Sequence, residues 1–190
     1  MPDHTPDRAA DAPLAAAAYA ALAELERVNE LTASAPDLSE RMAIADAAAR
    51  RYAVYRAALA KLGGEAPNET MARVTGAIDD ARLRTRTAEW WEGVAAASLS
   101  TSLSDELFAA VTREDGDKTD AAGPSWADRR LDGAVRSDPV LAARLSLWSR
   151  RLVGEAIVLA REFGGDLYPE IAAQLASEHA RRMAALGLSE

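Results

Sequence analysis

The stretch from Ser137 to Phe163, SDPVLAARLSLWSRRLVGEAIVLAREF, constrains the fold more than any other part of the chain. Leu141, Leu145, Trp148, Leu152, Ala156 and Leu159 recur at steps of three and four, while Arg144, Arg150, Arg151 and Arg161 mostly fall off that stripe. This is the pattern of a long amphipathic helix. Ser137 can cap the first free amides, Asp138 suits the positive helix end, and Pro139 falls at the first helical position, where no amide proton is needed. Leu147, Val153, Ile157 and Val158 widen the apolar surface beyond one seam. The helix is therefore predicted to touch more than one neighbour and to form the central strut of a bundle.

Helical spacing continues through the rest of the chain, with no strand alternation and no internal repeat. The prediction is an all-α protein with helices near 13–33, 39–63, 88–112, 125–136, 138–163 and 169–186, and a shorter helical segment over about 68–81. Residues 1–12 read as a disordered polar lead that includes His4, and 13–188 as one domain. Asp37 and Glu40 have capping-box spacing before the second helix, Gly63 and Gly64 end it, and Gly187 stops the last one. Within the second helix Ala45, Ala48, Tyr52, Tyr55, Leu59 and Leu62 form the apolar stripe, with Ile44 and Arg51 on its flank. An arginine in that position either snorkels to water or is a buried guanidinium.

A chain of 190 residues with 49% hydrophobic residues is long enough to bury one core. With no cysteine, disulfides, thiolate metal sites and thiol nucleophiles are excluded. The net charge of −8 opposes binding to phosphate backbones, so nucleic acid is not an expected partner. No apolar run reaches the roughly 20 residues of a membrane span, and the first residues do not read as a secretory signal. A cytoplasmic location is expected.

Most polar features have structural readings. Arg82, Arg84 and Arg86 in RLRTRT lack interleaved aromatic residues and read as a solvated connector. The hydroxyls of SLSTSLS, Ser98 to Ser104, can bond back to their own helix. The first-helix acids Glu24, Glu26 and Glu30 look mostly outward-facing. Asp115, Asp117 and Asp120 lack the order of a calcium loop, and His179 lies on an apolar stripe as a packing or capping residue. No serine-hydrolase elbow or phosphate-binding glycine loop is present.

RLSLWSRRLVGEA and the later HARRMAALGL, with WWEG at 90–93, Arg27, LAKLG at 59–63 and SDP at 137–139, carry a resemblance. The chain resembles the actinobacterial ferritin-like proteins grouped with the tRNA methylthio-isopentenyl-adenosine hydroxylases, from about Tyr19 to Leu188. That resemblance implies a ferritin-like four-helix bundle with additional long C-terminal helices. It also implies a di-iron site built from two carboxylates and two carboxylate-x-x-His pairs. Laid on that pattern without gaps inside helices, the first-helix acid falls at Ala21, and the second-helix Glu and His at Ala48 and Arg51. The third-helix acid falls at Thr101, and the last pair at Asp120 and Gly123. Only Asp120 retains a ligand type, and the chain holds two histidines in all.

The expected function is thus a ferritin-like protein without a di-iron centre, with no cofactor and no catalytic or metal-binding residue. It would act as a non-catalytic binding or structural partner in a homo- or hetero-oligomer, one candidate partner being a metal-bearing paralogue. The alternative is a di-iron-type hydroxylase or oxygenase. Losing inward acids together with the ions avoids like charges facing each other in the core. Arg51, which cannot shed its proton, is then predicted to point into the former site and pair with Asp120 or Glu106.

Overall fold

A computed structural model describes residues 8–62, 66–112 and 124–189, with side chains from residue 12 onward. The described residues form eight α-helices: α1 Arg8–Glu30, α2 Leu38–Leu62, α3 Pro67–Ala72, α4 Thr75–Arg84, α5 Trp90–Thr112, α6 Trp126–Ser137, α7 Pro139–Phe163 and α8 Tyr168–Ala185. Short 3₁₀ turns follow α1 at Leu31–Ser34 and precede α8 at Gly165–Leu167. The all-α prediction holds. α1 begins at Arg8 rather than after Pro13, with Pro13 inside it. The segment predicted over 68–81 is two helices, parted at Arg73 and Val74. Gly63, Gly64, His4 and the acidic run holding Asp115, Asp117 and Asp120 lie outside the described residues.

The helix termini follow from local chemistry. Asp37 accepts a hydrogen bond from the Glu40 amide at 2.9 Å, half of the expected capping box. The other half is missing because the Glu40 carboxylate accepts from Trp126 Nε1 at 2.7 Å and pairs with Arg130. Ser125 and Asp128 make a complete box at the start of α6. At α7 the cap is Asp138, not Ser137: its carboxylate accepts from the amides of Val140 and Leu141. Ser137 instead belongs to α6 and donates to the carbonyls of Gly133 and Ala134.

α7 buries Leu141, Leu145, Trp148, Leu152 and Ala156 as predicted, but Leu147 and Val158 face solvent. It shares the central place with α5, which touches α1, α6, α7 and α8. The reason lies in the sequence of α5, where Gly93, Ala95, Ala96 and Ser98 are small enough to admit neighbours closely and are all buried. Between Glu92 and Asp105 α5 carries no charge, so no charged side chain holds that stretch at the surface. α1 packs between α5 and α2 through buried alanines, among them Ala16, Ala20 and Ala23. α2 lies at the edge, against α1 and, more slightly, the 3₁₀ turn after α1 and α6. None of the described helices is long and apolar enough to cross a membrane.

Candidate functional site

The interior polar groups gather between α1, α2 and α5. On α2 the buried line is Ile44, Ala48, Arg51 and Leu62, so the helix is rotated from its predicted stripe: Arg51 turns in, while Ala45 and Tyr52 turn out. Arg51 is 7% exposed, and its guanidinium donates to both oxygens of Asp105 on α5, at 2.8 and 2.9 Å. Burial works against its charge, but the charge and hydrogen bonds of Asp105, with Glu24 beyond, outweigh it and hold the pKa above the usual arginine value. The expected partners do not fill this role. Glu106, the next residue on α5, accepts from Gln174 of α8, and Asp120 lies outside the described residues.

Glu24 is the second member. It is 6% exposed, not solvated as its helix pattern predicted, and accepts from Ser100 at 2.8 Å and Thr101 at 3.4 Å. Arg27, also buried, lies 3.6 Å from Glu24 and donates to the carbonyl and hydroxyl oxygens of Thr85. Arg27, Glu24, Arg51 and Asp105 thus alternate in sign across three helices. Glu24, Arg27, Thr85, Ser100 and Glu155 border a cavity of about 50 Å³, room for a few waters and far below the 300 Å³ or so of a substrate pocket. A larger groove of about 680 Å³ opens beside it, between the end of α1, α4 and the start of α5.

Such an arrangement holds the buried charges in place, and the small cavity beside them has no room for a substrate. Of the six positions singled out in the sequence, Arg51 lies in this cluster and Thr101 touches Glu24, Ala21 and Ala48 are buried one turn along their helices from Glu24 and Arg51, and Asp120 and Gly123 lie outside the described residues. The model of a family described as a ferritin-like domain of actinomycetes matches residues 6–167. The chain belongs to that ferritin-like family. No curated protein matches it.

A ferritin-like bundle of the di-iron type needs carboxylates and imidazoles converging on two ions. The four described positions of this ferritin-like protein present two methyl groups, a guanidinium and a hydroxyl, and the nearby acids Glu24 and Asp105 are engaged by arginines and hydroxyls. Among the described residues no group of three or more His, Cys, Asp or Glu side chains could hold a metal ion. These residues do not fit a di-iron group.

Sequence reasoning missed Asp105, Glu24, Arg27 and Thr85. The signal was present in SLSTSLS. Four of its five hydroxyls serve buried or half-buried charges on other elements rather than their own turn: Ser98 meets Asp128 and Arg182, Ser100 and Thr101 meet Glu24, and Ser102 meets Glu178. Arg84 and Arg86 are exposed as expected, but Arg82 and Arg84 are not part of a connector. They lie in α4, where Arg82 pairs with Glu26 and Glu30 of α1 and Arg84 with Glu155 of α7.

Proposed function

We propose that this ferritin-like protein is a metal-free relative of the di-iron hydroxylases, the ligands having been lost, and works in the cytoplasm as a binding or structural partner rather than as a catalyst. A metal-bearing paralogue is one candidate partner. The observation that carries this reading is the Arg51–Asp105 pair: a permanent cation stands where the resemblance places a metal-binding histidine, and its charge is met by Asp105 and Glu24. Two ions would neutralise clustered inward acids; here Arg51 and Arg27 neutralise the acids that remain. Nucleic acid is no better a partner than the net charge suggested, because Arg82 and Arg84 are already paired with glutamates.

The test is metal analysis of protein produced in iron-supplemented medium, read beside its absorption spectrum. Iron well below one atom per chain is expected. Near-stoichiometric iron with an oxo-bridge absorption band would overturn the reading in favour of the alternative, a di-iron-type hydroxylase or oxygenase.

A further inference from the structure

Four of the eight large exposed hydrophobic residues among those described, Leu38, Met42, Tyr52 and Val54, lie on α2. Those on α7, Val140, Leu147 and Val158, are scattered singly along their helix, which is ordinary for a protein surface. On α2 three of the four, all but Val54, fall on one line. Leu38, Met42, Ala45, Ala49, Tyr52 and Arg56 follow one another at spacings of 4, 3, 4, 3 and 4, and all six are exposed. This is the seam of a helix that packs on another helix, and it faces away from α1. An edge helix meant only for water would show charged residues along that line; this one shows a leucine, a methionine, two alanines and a tyrosine, with Arg56 at the end, its guanidinium near the Tyr52 ring.

We infer that this outward face of α2 is the interface of a homodimer in which α2 packs antiparallel on α2 of a second copy. This deepens the partner reading above by naming the face and the occupant. A two-fold axis between Ala45 and Ala49 lays Ala45 of one copy on Ala49 of the other and Met42 on Tyr52. The two alanines let the helices approach closely at the axis while the larger side chains close the seam on either side. Such an interface is isologous, so every contact is made twice. Charge selects the direction. The antiparallel order sets Asp46 beside Arg50 of the second copy, both of them exposed and neither ion-paired among the described residues of its own chain. It also brings Arg56 to the start of the other α2, near Leu38 and the Asp37 carboxylate. A parallel order would instead place Arg56 against Arg56 and align the helix dipoles side by side. Through α1 and the Arg51–Asp105 pair, the inward side of α2 is tied to the core, so the outward side is presented on a fixed element.

Sedimentation velocity on the full chain from about 1 µM to about 1 mM should show a monomer–dimer equilibrium within that range. Asp46→Arg and Arg50→Asp should each weaken it roughly tenfold, since each turns two attractions into two repulsions, and the double variant should restore it. All of these positions are exposed, and circular dichroism unchanged from the parent shows that the variants fold. The absence of native cysteine makes cross-linking clean: Ala45→Cys and Ala49→Cys proteins mixed and oxidised should form the mixed disulfide dimer in preference to either self-linked dimer. A monomer throughout, a dimer indifferent to charge reversal, or self-linked dimers only would overturn the proposal, and the first of these would leave the face to a different protein such as a paralogue. The metal analysis above is independent: bound iron would sink the metal-free reading while leaving the dimer standing, and a metal-free monomer would do the reverse.

Discussion

Arg51 and Asp105 do not share their burial equally: the arginine side chain is 9% exposed and the aspartate 50%. Removing the aspartate leaves a buried cation with no neutral form and only the more distant Glu24 opposite it, whereas removing the arginine leaves Asp105 as a carboxylate that water can reach. Asp105→Ala is therefore expected to lower stability by about 3 kcal/mol, and Arg51→Met by about 1 kcal/mol, in thermal or denaturant unfolding. Equal losses would mean that the pair is solvated as a unit. Tyr19 gives a second test. Its hydroxyl donates to Asp79 at 2.7 Å, and burial, that hydrogen bond and the Asp79 charge push the phenol up to about 12. The folded state thus holds a proton that the unfolded chain releases near 10, so this contribution is complete below pH 10 and is lost as pH rises toward 12. Absorbance titration of the four tyrosines should show one ionising late, and Tyr19→Phe should flatten the loss of stability between pH 10 and 12. At this scale the sequence marked Arg51 as the odd residue of its helix but could not name its partner. Asp105 is one position from the expected Glu106, and one position turns a side chain by about 100° around a helix.

Helix ends were the most legible elements because they are written in neighbouring residues. The end of α8 shows this best. Gly187 has φ +71°, its amide donates to the Ala184 carbonyl and that of Leu188 to Met183 at 2.9 Å, the two bonds of a Schellman turn. Leu188 and Met183 are both buried beneath it. Gly187→Ala is expected to cost about 1 kcal/mol in an unfolding experiment, since any side chain is disfavoured at that φ. Gly133→Ala, at an exposed position of α6 with open space at the added methyl, should instead stabilise the protein by several tenths of a kcal/mol to about 1 kcal/mol. Helix faces were less legible than helix ends. The alanines of α2 run so nearly all round the helix that two stripes compete. Of the predicted stripe, Ala48 and Leu62 are buried and Tyr55 and Leu59 half-buried as expected, whereas Ala45 and Tyr52 lie outward, because turning the Ile44 and Arg51 side inward gives the buried cation access to Asp105.

For the whole molecule, the sequence placed one long helix at the centre, and two share that position. α7 advertises itself by strong amphipathicity, with arginines opposite leucines, whereas α5 lacks a charged middle and hides behind serines and threonines that only tertiary neighbours explain. The consequence is a gradient of local stability. α5 is covered by α1, α6, α7 and α8, while α2 leans mainly on α1 and is tied across to α5 by the Arg51–Asp105 pair. Opening α2 exposes one apolar line and breaks two ion pairs, Arg51–Asp105 and Glu40–Arg130; opening α5 dismantles the core. In native-state hydrogen exchange on dilute protein, amides near Leu99, Leu103 and Leu107 should exchange only through global unfolding, and those near Leu38, Met42 and Ala60 through local opening of lower free energy. Asp105→Ala should shrink protection in α2 more than in α7, because it removes the tie that spans α2 and α5. Raising the protein concentration should protect the outward positions of α2 selectively if the second copy covers them. Uniform protection across α2 and α5 at low concentration would show that the edge helix is as firmly held as the core and that the gradient is absent.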